Sequence, residues 1–152
     1  SSARSWLFNQ CVSARVKAGS WQSLFIGEPA NLNGSNSVFT STNSVDEGER
    51  LNQLDIHPTA PLWGDNADKA MSECPGLFDF EKSVLIDYQP LLSALERARL
   101  DYQRRPLRSV PDKLNWAFER DESGQVHGLV ICFELQSGQF ATSLIRELIL
   151  AN

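Results

Sequence analysis

Six cationic side chains crowd one short stretch of the chain: Arg97, Arg99, Arg104, Arg105, Arg108 and Lys113. Only Asp101 and Asp112 oppose them there, a local excess of four positive charges in a chain whose net charge is −5. Such a cluster could neutralise nucleic-acid phosphates. The same arginines could equally be the solvated end of a helix, where cations suit the negative terminus. A second group lies between Gly138 and Arg146. Gly138 suits a sharp strand-to-helix turn, and N–H groups at the following helix start could hold a phosphate or a base edge. Phe140 could lie against a flat ring or pack the helix onto a sheet with Leu144 and Leu148, the commoner role for a phenylalanine. Arg146 falls off the apolar face and suits a polar contact or an ion pair. His57, beside Pro58, reads as a turn anchor, and His127 has no partner within sequence reach. Cys11, Cys74 and Cys132 form no disulfide framework and, with two histidines, no zinc spacing. No metal site is expected from these residues. G-x-S-x-G, G-x-x-x-x-G-K-[ST] and G-x-G-x-x-G do not occur, so hydrolase, P-loop and dinucleotide readings have no support.

Elements must hold these groups in place. The 152 residues, 41% of them hydrophobic, can fill one compact core. No apolar run approaches a membrane span, so a soluble cytoplasmic protein with no membrane partner is expected. Leu7, Phe8, Cys11, Val12 and Val16 recur at helical spacing over 2–18. Residues 21–26 and 37–40 read as strands about the Asn33-Gly34-Ser35 turn, and 45–54 as a helix with early carboxylates. Two prolines and a glycine make 57–64 an ordered loop that buries Leu62 and Trp63. Short helices are predicted over 65–74, 77–87 and 90–102. Leu114–Phe118, the Asp121–Gly124 turn and Val126–Leu135 form a hairpin, and Ala141, Leu144, Ile145, Leu148 and Ile149 mark an amphipathic closing helix. All four tryptophans (Trp6, Trp21, Trp63, Trp116) read as core or domain-junction residues. Leu129–Phe133 is continuously apolar, which predicts a strand covered on both faces. The chain offers few other long apolar strands, so part of that sheet is expected to lie in polypeptide absent here.

Three blocks carry a resemblance. Ser2-Ala3-Arg4-Ser5-Trp6-Leu7-Phe8-Asn9 resembles the S-A-R-S-x-L-F-N helix of the TruD family of tRNA pseudouridine synthases. Pro58-Thr59-Ala60-Pro61-Leu62-Trp63-Gly64 is similar to that family's P-T-[GA]-P-L-x-G segment. Residues 133–148 resemble its F-x-L-P-x-G-S-[YF]-A-T-x-x-x-R-E-L signature, with Gln136 in place of the usual Pro and Gln139 in place of the usual small residue. Arg104-Arg105-Pro106-Leu107-Arg108 fits the arginine pair between the last two blocks. The family's nucleophilic aspartate lies in an amino-terminal G-x-K-D block. Lys17, Lys69, Lys82 and Lys113 are followed by Ala, Ala, Ser and Leu, so that block is not in this chain.

The resemblance implies an α+β fold with a mixed sheet and flanking helices: an incomplete pseudouridine synthase catalytic sheet plus the inserted TRUD domain. Residues 1–18 would form a helix at the junction of the two, 19–110 the insertion, and 111–152 the catalytic domain's last hairpin and helix. It implies an isomerase that flips uridine-13 out of tRNA and rejoins its base through C5 without a cofactor, the nucleophile lying outside this chain. Arg104, Arg105, Arg108 and Lys113 are then RNA-binding candidates, and Gly138, Phe140, Thr142 and Arg146 active-site-adjacent candidates. The expected partners are tRNA, the missing amino-terminal portion and, through exposed apolar surface, another copy of the chain. The rival expectation is a non-catalytic RNA-binding or protein-interaction α+β module.

Overall fold

The computed structural model describes residues 2–148, which fall into two compact units meeting at Arg108/Ser109. The class is α+β, with the strands spread over three small antiparallel sheets in place of one mixed sheet. In the first unit, helix α1 (Ser2–Lys17) precedes strands β1 (Pro29–Leu32) and β2 (Val38–Thr40) and helix α2 (Val45–Asn52). Then come β3 (Ile56–His57), β4 (Thr59–Leu62), α3 (Ala67–Ala70), α4 (Pro75–Val84), a 3-10 turn (Ile86–Tyr88), α5 (Gln89–Arg97) and β5 (Gln103–Pro106). One sheet has the order β2-β1-β3 and another pairs β4 with β5. Residues 21–26, expected to be a strand, are turns; the strand paired with β2 is β1 instead. α1 packs within this unit, against β4 and α4.

The segment 57–64 is not a loop. Leu107 N donates to Pro58 O at 2.9 Å, so 58/107 is a hydrogen-bonded pair of the antiparallel ladder. Hydrogen-bonded and open pairs alternate, which puts Pro61 opposite Arg104, and Pro106 opposite Thr59, in open pairs. A proline there loses no ladder hydrogen bond. Pro61 and Pro106 sit where a two-stranded sheet tolerates them, and only Pro58, in the bonded pair at the ribbon's end, forgoes a bond.

The main core gathers Leu7, Phe8 and Cys11 of α1, Ala60 and Trp63 around β4, Met71, and Leu77, Leu85, Leu92 and Leu95 of the later helices. The Trp63 ring stacks on Phe78 with centroids 5.9 Å apart, and its Nε1 donates to Glu96 Oε1 at 3.0 Å. A smaller core joins Leu24, Ala30, Leu51 and Ile56. α2 begins at the N-cap Ser44, whose Oγ accepts from Glu47 N. The Glu47 carboxylate reaches back to Thr42 N, Asn43 N and the Ser41 hydroxyl. Burial works to raise its pKa, but those hydrogen bonds prevail and hold it near about 2.

The second unit is a hairpin, β6 (Asp112–Arg120) and β7 (Val126–Glu134), followed by helix α6 (Ala141–Leu148). Asp121 Oδ1 nucleates the turn by accepting from Ser123 N and Gln125 N at 2.8 and 2.9 Å. Leu114, Trp116 and Phe118 share one face with Leu129 and Ile131, and with Leu148 they line an apolar groove of about 280 Å³. Every residue of β6 is exposed, Trp116 by 62%, and β7 is exposed or half-buried. The two-faced burial expected for Leu129–Phe133 is therefore absent here, because two strands and one helix supply too few covering layers. Trp6 and Trp116 are likewise exposed, not core. Ile149, assigned to the closing helix by periodicity, lies outside the described residues.

Two glycines give opposite expectations. A Cβ on Gly64 would sit 2.1 Å from Leu100 O, backbone that cannot give way. One on Gly48, inside α2, would meet nothing within 4 Å. Urea unfolding should show Gly64→Ala losing about 3 kcal/mol and Gly48→Ala gaining up to about 1 kcal/mol.

Candidate functional site

The basic run does not form one surface. Arg104, on β5, points into the core with a side chain only 4% exposed. Its Nη2 meets Glu81 Oε1 at 2.7 Å and its Nη1 meets Glu81 Oε2 at 2.9 Å, a two-point contact. Nε donates to Thr59 Oγ1, Nη2 also to Thr59 O, and Nη1 also to the Tyr102 hydroxyl, each at 2.7 Å. Burial pushes the Glu81 carboxyl upward and Arg104 pulls it down. With both carboxylate oxygens accepting guanidinium N–H groups, the pair is ionised. The expectation that Arg104 faces a phosphate is thus corrected: its donors are spent inside the protein, where a charge is tolerated only when paired.

The network runs on through Thr59. Thr59 N, directed away from β5 in its open pair, donates to Glu28 Oε1 at 3.0 Å. Glu28 in turn pairs with Arg15 at 3.3 Å, both side chains at most 2% exposed. Arg15 also donates to Ser20 O and Ser23 O at 2.9 and 2.6 Å. Helical periodicity put Val16 on the inner face, yet Val16 is exposed and Arg15 is buried. Cys11 lies in the same interior. Burial first, then the charge of Glu81, push its thiol up to about 12 against the pull of Arg104, leaving it unreactive.

Arg108 is held differently. Its Nε donates to His57 Nδ1 at 3.2 Å, and its Nη2 donates to Ile56 O at 2.7 Å and Leu51 O at 3.1 Å. On the far side of the ring, His57 Nε2 lies 3.0 Å from Asn33 Oδ1. Burial, then the Arg108 charge, lower the His57 pKa to about 4, with Asp55 acting in the opposite sense. Sequence reading gave His57 only a turn; its partners lie far along the chain, and no local signal announces them.

The remaining candidates are spread out. Arg105 is half-buried, its guanidinium 5.4 Å from the centre of the Phe8 ring. Lys113, in the hairpin, pairs with Glu134 at 2.7 Å, with both groups exposed. Arg97, the last residue of α5, and Arg99, just past its end, are exposed. Gly138 adopts φ +86° at the turn into α6, a left-handed conformation that favours glycine. Phe140 is 65% exposed, not packed, and Thr142 and Arg146 are exposed on α6. Among the described residues no group of three or more His, Cys, Asp or Glu is arranged to hold a metal ion.

Residues 1–148 match the family model of tRNA pseudouridine synthase D, TruD. The chain belongs to the TruD family. It is 39% identical to the tRNA pseudouridine synthase D of Psychrobacter arcticus, over 98% of this chain and 37% of that protein. It is 40% identical to the enzyme so named from Aeromonas hydrophila, over 100% of this chain and 41% of that protein. The chain thus spans about two fifths of these relatives' length. The crystal structure of a Methanosarcina mazei protein assigned as a tRNA pseudouridine synthase D superposes with a TM-score of 0.64 at 21% identity, over 95% of this chain and 36% of that one, which shows a shared fold.

Four TruD motif residues of the first unit, Arg4, Thr59, Ala60 and Gly64, hold the scaffold together. Arg4 of the opening block donates through Nη2 to Leu62 O at 2.7 Å and Asp101 O at 2.6 Å, tying α1 to the ends of β4 and β5. Thr59 is the junction of the buried network, Ala60 is buried against the core, and Gly64 allows the backbone of Leu100 to approach.

Two measurements check these assignments. Arg104→Gln and Glu81→Gln should each destabilise the protein by about 3–5 kcal/mol, because each leaves a buried charge or strong acceptor unpaired. His57 binds its proton more weakly folded than unfolded, so its contribution is complete above about pH 6.5 and is lost as pH falls toward 4. Urea midpoints should therefore drop across that window by the equivalent of roughly 3 kcal/mol, and the drop should be smaller in His57→Asn.

Proposed function

We propose that this chain is the TRUD insertion domain together with the final hairpin and helix of the catalytic domain of a tRNA pseudouridine synthase. In that reading the intact enzyme isomerises uridine-13 of tRNA in the cytoplasm. The uridine is flipped out of the stack, at a cost of a few kcal/mol that a shaped pocket offsets. An aspartate assists cleavage of the glycosidic bond, and the base is rejoined through C5, whose proton is released. No cofactor is required. The nucleophile lies in the family's G-x-K-D block, which this sequence lacks, so the chain alone is inactive.

The family match along 1–148 carries this reading. The uncovered face of Leu114, Trp116, Phe118, Leu129 and Ile131 supports it, since such a face suits a sheet continued by further polypeptide. Arg105, Arg108 and Lys113 are the cations left to meet RNA phosphates. Gly138, Phe140, Thr142 and Arg146 would border the reacting uridine, with the exposed Phe140 ring free to stack on it.

Release of tritium from C5-labelled uridine in tRNA tests the assignment. The chain alone should release none. Adding the amino-terminal portion of a TruD relative, which carries the aspartate, should restore release. Trp116→Glu, on the uncovered face, should abolish that restoration while leaving the first unit's thermal transition in place. Release by the chain alone, or no release after reconstitution of soluble partners, would overturn the reading.

A further inference from the structure

Five arginines of the first unit lie against carbonyls or carboxylates, and three of them have a counter-ion: Arg15 has Glu28, Arg50 has Asp55 and Arg104 has Glu81. Among the described residues Arg4 has none and spends its Nη2 on Leu62 O and Asp101 O, and Arg108 has none either. It is half-buried, yet among the described residues no carboxylate lies within ion-pair distance, and its Nη1 makes no hydrogen bond. Asp55, the acid nearest in sequence to His57, is taken by Arg50 at 2.7 Å. Two carbonyl oxygens and one imidazole nitrogen solvate the cation, but none of them neutralises it. Such a guanidinium keeps strong attraction for an oxyanion and has a pair of N–H donors with which to bind one.

Its direction is set by His57. Arginine only donates hydrogen bonds, so the Nδ1 that receives Arg108 Nε–H must be a bare lone pair. The ring is then the neutral tautomer with its proton on Nε2, donating to Asn33 Oδ1. With His57 only 2% exposed, ring and acceptor are locked in place. The contacts from Leu51 O and Ile56 O hold Nη2 on the inner side.

We propose that Arg108 is a preset oxyanion site for a phosphate group and that His57 is the residue that positions it. The site itself stands on this geometry; its assignment to a phosphodiester of RNA rests on the function proposed above. Phosphate free in solution shares the chemistry, so the test has two arms.

In the first arm, inorganic phosphate is titrated into the full chain while the Arg108 Nε–H signal is followed by NMR. It should shift saturably in the native chain and in His57→Asn, which keeps an acceptor oxygen near the Nδ1 position, and should not shift in His57→Phe. In the second arm, a short single-stranded RNA is bound at several salt concentrations. Arg108→Gln and His57→Phe should each lower the slope of log K against log salt by about 0.7, the share of one phosphate, while His57→Asn stays near the native slope. Should His57→Phe fail to fold, Arg108→Gln and the native phosphate titration still decide. An unmoved Arg108 signal in the folded native chain overturns the site. So does RNA binding whose slope is the same in Arg108→Gln, an outcome that leaves the RNA reading intact. A phosphate shift without any RNA binding keeps the site and overturns its assignment to RNA.

Discussion

Two buried ion pairs meet at one threonine. Thr59 gives its N–H to Glu28, its hydroxyl to Pro29 O and its carbonyl and Oγ1 acceptor sites to Arg104. Arg15 stands behind Glu28 and Glu81 stands against Arg104. α1, β1, β4, α4 and β5 are thereby joined through a single polar chain inside an otherwise apolar core. Four desolvated charges are affordable only as a complete set, since removing one strands its neighbour in a medium that cannot solvate it. Satisfied throughout, the set admits one arrangement of these five elements and penalises the rest.

That constraint also explains which parts of the molecule could be read from residues alone. Hydrophobic spacing found α1 and α6, early carboxylates marked α2, and the Asp121–Gly124 turn between apolar runs marked the β6–β7 hairpin, because each of these signals is local. The reading failed where burial runs against residue type. Nothing local distinguishes Arg15 from Lys17, or Arg104 from Arg105; the difference is a carboxylate many residues away. Pro61 of β4 misled for a related reason. Whether a missing N–H matters depends on the pairing phase, and that phase is set by a partner strand more than forty residues distant. Trp116 and Phe140 failed in the other direction: apolar residue types predict an interior that this length of chain does not supply.

The candidate site shows the same division. A cluster of cations was legible as composition, but its members proved to have different employments. Arg104 is internal, Arg105 rests on the Phe8 ring, Lys113 pairs with Glu134, and Arg108, half-buried with no counter-ion among the described residues, is held by His57 and two carbonyls. The family signature was legible because it is a property of sequence. What its first-unit residues do was not, since the close approach at Gly64 and the reach of Arg4 exist only in three dimensions.

The phase of the prolines in β4 and β5 has one more consequence. A strand edge recruits another strand through N–H groups directed outward. On β4 the outward N–H of Thr59 is already capped by Glu28 and that of Pro61 does not exist; on β5 Pro106 removes another. The β4 flank of this ribbon is therefore closed to augmentation, and the β5 flank keeps only the N–H of Arg104 directed outward. β6 and β7 carry no proline, so their rims stay receptive to a further strand. Cross-β recruitment, productive or aggregating, is thus blocked on the flank of β4 and left open on the hairpin of the second unit.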